Sequence, residues 1–88
     1  MQNDFTLLDG STIEFVSLGR DDGAEIIGRD SAGKVVCYIA TESMTQDRVA
    51  IMQAIKDGVQ TLEQVFDMWE NGLGGNPFDL DYLPEYYK

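Results

Sequence analysis

Residues 24–41 read Ala24-Glu25-Ile26-Ile27-Gly28-Arg29, then Asp30-Ser31-Ala32-Gly33, then Lys34-Val35-Val36-Cys37-Tyr38-Ile39-Ala40-Thr41. Two apolar, β-branched runs around a short polar turn predict a β-hairpin. Asp at the first turn position and Gly at the fourth suit a type I turn. The same stretch holds Gly28-Arg29-Asp30-Ser31-Ala32-Gly33-Lys34, which matches the G-x-x-x-x-G-K part of a phosphate-binding loop. The chemistry of that motif is missing. It needs Ser or Thr next, to hold magnesium, and residue 35 is Val. It needs a helix whose N-terminus faces the phosphate, whereas Val35-Val36-Cys37-Tyr38-Ile39 reads as a strand. Asp30 would also repel a phosphate. The hairpin reading stands.

Upstream, Phe5-Thr6-Leu7-Leu8 and Thr12-Ile13-Glu14-Phe15-Val16-Ser17-Leu18 flank Asp9-Gly10. Asp-Gly between apolar runs is a strong hairpin signal. With the polar turn Gly19–Gly23, the segment 1–42 becomes a four-stranded antiparallel meander. Period-2 alternation assigns Ile13, Phe15, Val35, Cys37 and Ile39 to one buried face.

Downstream, the period changes. Ser43 or Thr45 can cap a helix running to Asp57, with Gly58 placed to end it. Val49, Ile51, Met52 and Ile55 spread over a wide arc, which predicts a heavily buried helix. Thr61 and Gln64 have capping-box spacing for a second helix. Leu62, Val65, Phe66 and Trp69 form its apolar face, and Asn71-Gly72 ends it. Residues 43–72 are thus two helices that must pack on one face of the sheet. Residues 73–88 form an acidic, aromatic tail. Strands first and helices second predict an α+β fold in a single domain spanning 1–88.

Sixteen Asp and Glu against six Lys and Arg give a formal net charge of −10. No basic stripe is present to neutralise phosphates, so direct nucleic-acid binding is not expected. Anionic membranes are disfavoured for the same reason. The longest apolar stretch, Val35–Ala40, is far short of the ~20 residues of a membrane helix. The first residues carry no basic or apolar signal segment, and Cys37 is the lone cysteine; both point to the cytoplasm.

The chain has no histidine, the usual general base and commonest metal ligand. Cys37, mid-strand and without a cationic neighbour in sequence, reads as a small hydrophobe. Asp21-Asp22 and Asp79-x-Asp81 do not match a calcium loop. The expectation is a non-enzyme with no cofactor and no metal.

Charge distribution then points to a protein partner. No Lys or Arg lies between Asp57 and Tyr87, while Asp57, Glu63, Asp67, Glu70, Asp79, Asp81 and Glu85 all do. Glu63, Asp67 and Glu70 share a helix face. Aromatics are enriched at interface hot spots, and Phe78, Tyr82, Tyr86 and Tyr87 crowd the tail. Phe78 and Leu80 are expected to complete the protein's own core, Tyr86 and Tyr87 to be exposed. The candidate partner-binding residues are Glu63, Asp67, Glu70, Asp79, Asp81, Tyr82, Glu85, Tyr86 and Tyr87. Deleting residues 78–88 is expected to abolish partner binding or to lower the thermal midpoint sharply; a truncated chain that folds and binds normally would remove the tail from the site.

In size, charge and lack of catalytic residues the chain resembles small phage-encoded inhibitors of bacterial defence, such as anti-CRISPR and anti-restriction proteins. The resemblance is one of overall character and covers no motif. It implies an acidic inhibitor or regulator that masks a basic, nucleic-acid-binding surface of its target, its carboxylates standing in for phosphates. The alternative is a small structural subunit of a homodimer or larger assembly, using an edge strand or an exposed sheet face with Val36, Tyr38 and Ala40.

Overall fold

A computed structural model gives the fold and describes residues 4–58, 61–67 and 76–88, with Tyr82 described for its backbone alone. The chain forms an antiparallel sheet in the order β1 (Phe5–Thr6), β2 (Thr12–Ser17), β3 (Ala24–Arg29), β4 (Val35–Thr41). The β3–β4 turn is the type I turn expected: Gly33 N–H donates to the Asp30 carbonyl at 2.9 Å. The Asp30 carboxylate accepts from the Ala32 and Lys34 amides at 2.9 and 3.0 Å. Gly33 follows at φ +87°, a backbone conformation that side chains with a Cβ rarely adopt. These turn bonds all lie within residues 30–34. β1 is shorter than its apolar run: Leu7 and Leu8 belong to the turn, where Leu7 is buried and Leu8 is 82% exposed.

The face assignment needs one correction. Gly28 pairs with Cys37, but Arg29 pairs with Val35, so Val36 is an extra residue in β4. Such a bulge sets two successive side chains on one face. Val36 therefore packs beside Cys37 and Ile39, whereas Val35 joins Ile27 and Leu83 on the opposite face. Simple alternation places Val35 wrongly because the bulge breaks its period.

Two helices cover the first face, α1 (Met44–Lys56) and α2 (Leu62–Phe66). Ile51, Leu62, Val65 and Phe66 are buried there with Ile13, Ile26, Cys37 and Ile39. α2 begins with the capping box read from Thr61 and Gln64, both reciprocal bonds being present. Trp69 and the expected end at Asn71-Gly72 lie outside the described residues.

α1 departs from expectation in two ways. It is not heavily buried: Val49 is 61% and Met52 45% exposed. Ser43 occupies the N-cap position, but its hydroxyl makes no capping bond. The cap comes from Asp22 in the β2–β3 turn, whose carboxylate accepts from the Thr45 amide at 3.0 Å and the Thr45 hydroxyl at 2.8 Å. Its carbonyl accepts from the Met44 amide at 2.9 Å. A carboxylate at a helix N-terminus also meets the positive end of the helix dipole. Asp22 is therefore part of the scaffold, fixing α1 to the sheet.

The tail wraps the edge of the sheet. Phe78 packs edge-on against Phe66 on the helix side, at 6.3 Å between ring centres. The Pro77 carbonyl accepts from the Tyr38 amide on the β4 edge at 2.9 Å. Leu80, Leu83 and Tyr87 then cover Ile27 and Val35 on the far face. Two 3-10 turns, Leu80–Tyr82 and Glu85–Tyr87, carry the chain through this path. Pairing and covering an edge strand limits its use as a template for another chain.

Candidate partner-binding surface

Glu63 and Asp67 project from α2 one turn apart and are exposed. Among the described residues, neither side chain makes a hydrogen bond or ion pair. Together with Phe66, Asn76, Pro77 and Phe78 they line a groove of about 350 Å³. The capping box that starts α2 and the Phe66–Phe78 contact that anchors the tail set its two walls. Glu70 lies outside the described residues, so the structure does not place the third acid of this helix face.

The tail acids have separate roles. Asp79 is exposed, but its carboxylate accepts from the Asp81 amide at 3.1 Å and caps the first 3-10 turn. Asp81 is exposed and makes no side-chain bond among the described residues. Glu85 contacts Lys88 at 3.4 Å. The side chain of Tyr82 lies outside the described set.

Tyr87 departs from expectation and Tyr86 does not. The Tyr86 ring is 72% exposed as anticipated. Tyr87 is half-buried, packed on the Ile27–Val35–Leu83 cluster. Both hydroxyls donate to Glu25 of β3, Tyr86 at 2.8 Å and Tyr87 at 2.9 Å, and the Tyr38 hydroxyl does so at 2.6 Å. Glu25 is only 5% exposed. Burial pushes its carboxyl up, but the three phenols outweigh that and hold it below the ordinary range. This cluster fastens the tail to the sheet. Tyr38 therefore does not offer an open apolar face, and Val36 has turned to the helix side.

The candidates thus occupy two regions. Glu63 and Asp67 flank the α2 groove, with Asp79 and Asp81 following in the adjoining segment; Tyr86 and Tyr87 belong to the far face. Glu25 escaped sequence reasoning. Its signal was an acid alone within an apolar strand, Ala24-Glu25-Ile26-Ile27, in a chain whose tail ends in paired tyrosines.

Most of the scarce positive charge is internally engaged. Arg20 pairs with Glu42, Arg29 with Glu14, Arg48 with Asp4 and Lys88 with Glu85. Arg48 also lies over the Phe15 ring at 5.1 Å. Burial pushes the Cys37 thiol up to about 12, so it stays protonated at neutral pH. Among the described residues, no helix is long and apolar enough to cross a membrane, and no group of three or more His, Cys, Asp or Glu is placed to hold a metal ion. Comparison with known proteins finds no matching family model, no similar curated protein and no similar solved structure.

Proposed function

We propose that this protein is a non-catalytic acidic inhibitor or regulator that binds a basic, nucleic-acid-binding surface of a target protein. The observation that carries the reading is the exposed pair Glu63 and Asp67, without an ion-pair partner among the described residues and lining a groove with Phe66 and Phe78. Like charges one turn apart weaken an isolated helix by a few tenths of a kcal/mol. A lysine- or arginine-rich partner would relieve that repulsion and gain charge-assisted hydrogen bonds. Asp79 and Asp81 extend the acidic surface along the same stretch of chain. The net charge of −10 favours rapid encounter with a cationic target. Of the sheet face on which the subunit alternative drew, Val36 packs on the helix side and Tyr38 is half-buried against the tail, while Ala40 is exposed.

The test is affinity capture at low and high salt, with competition by added DNA or RNA. The expected target is a nucleic-acid-binding protein released by salt and by nucleic acid. Glu63→Lys with Asp67→Lys is expected to weaken its binding at least about tenfold, because like charges are then brought together. Binding that is indifferent to salt, to nucleic acid and to both substitutions would overturn the reading.

A further inference from the structure

The far face of the sheet holds a second groove. It measures about 300 Å³ and lies between the start of β4 and the tail, lined by Lys34, Val35, Leu80, Leu83, Tyr87 and Lys88. Val35 and Leu83 are each 9% exposed and form its apolar base. The Tyr87 hydroxyl is bound to Glu25, so that oxygen is already committed.

Two lysines, Lys34 and Lys88, line this apolar trough. Lys34 is exposed and makes no ion pair among the described residues. The neighbouring Asp30 carboxylate accepts from the backbone amides of Ala32 and Lys34 and forms no ion pair with the Lys34 side chain. Lys88 has one exposed partner, Glu85, at 3.4 Å. An apolar concavity with a few convergent polar groups is the usual form of a small-molecule site, and this volume is at the small end of the range. A cationic ligand would be repelled here, and a neutral one would leave both ammoniums unused.

We propose that this groove binds a small aliphatic carboxylate, its chain against Val35, Leu80 and Leu83 and its carboxylate between Lys34 and Lys88. A chain with net charge −10 repels anions in general, so a carboxylate that binds must find a locally positive place. The proposal does not rest on Glu63 and Asp67, which line the other groove.

The test is a titration of the full chain with decanoate, followed by backbone amide NMR, with decanol as the neutral control. Saturable shifts are expected at Lys34, Val35, Leu80, Leu83, Tyr87 and Lys88. Decanol is expected to bind about tenfold more weakly. Lys34→Glu and Lys88→Glu together should cost the carboxylate about tenfold while leaving decanol unchanged, since surface pairs are each worth only about threefold. Both lysines are exposed, so circular dichroism should show the variant folded. No saturable shift, equal binding of decanol, or shifts spread through Ile51 and Phe66 of the main core would overturn the proposal.

Discussion

Replacing Glu25 by alanine is expected to remove about 3 kcal/mol of stability and to release the tail from the sheet. Hydrogen bonds to a charged group contribute about 1.5–3 kcal/mol, and deleting their acceptor leaves the donors to find water. Glu25 is the common acceptor for Tyr38, Tyr86 and Tyr87. Tyr38 and Tyr87 are half-buried and lose most, while the exposed Tyr86 readily bonds to solvent. Glu25→Gln, which keeps the shape and a neutral acceptor, should lose less. Urea denaturation followed by circular dichroism measures the first effect. Faster hydrogen exchange at Leu83, Tyr87 and Lys88 reports the second. An unchanged midpoint together with unchanged exchange would mean that the cluster does not hold the tail.

The same cluster sets a pH window. The Glu25 carboxyl is held below its ordinary 4.5 in the folded chain, because the phenol bonds outweigh the opposing effect of burial. A depressed acid stabilises the fold fully above its unfolded value, and that contribution is lost as pH falls through the folded one. For Tyr38 and Tyr87, burial first and then Glu25 push the phenols above their ordinary 10.0. For Tyr86 the bond to Glu25 is the leading cause. Raised phenols stabilise the fold below the unfolded value and lose that contribution as pH rises beyond it. The tail should therefore be held most firmly between about pH 4.5 and 10.0. In a basic titration, phenolate absorbance from these tyrosines should appear late and together with unfolding.

Gly28→Ala is the second large effect, at about 3 kcal/mol. Gly28 lies near the end of β3, opposite Ile13 on one side and Cys37 on the other. A Cβ there would overlap the Cys37 sulfur and would stand 3.3 Å from both terminal methyl carbons of Leu62. Overfilling a packed interior generally costs about 1–3 kcal/mol, and here the obstacle is a strand side chain held by the sheet. Cys37→Ala removes the sulfur, so the double variant should recover most of the loss. A coupling energy of about 2 kcal/mol between the two sites is expected in a double-mutant cycle. Additive losses would show that Gly28 is required for another reason.

Gly28 illustrates how far local reading reaches. In sequence it reads as part of a phosphate-loop pattern or as one residue of a hairpin strand. Its role is to admit Cys37 from β4 and Leu62 from α2, neither of which is near it in the chain. Asp22 is similar, reading as a solvated loop acid beside Asp21 yet capping a helix that begins more than one strand pair later. The Glu63 and Asp67 half of the candidate surface was legible because the 3.6-residue period of a capped helix places both on its outer face. Tyr86 is exposed as read, but Tyr87 was misread, because a terminal aromatic looks exposed until the buried acid and apolar cluster it contacts are known.

The sequence by itself determined the order and type of the elements. Turn chemistry at Asp30–Gly33, the Thr61–Gln64 capping box and the period of each apolar run act over a few residues, where neighbours in sequence are neighbours in space. Tertiary structure alone decided which side of the sheet Val35 occupies, what caps α1, and where the tail goes. A bulge depends on pairing between strands, and a buried carboxylate depends on donors brought from far along the chain. Those choices are set by contacts that no local pattern contains.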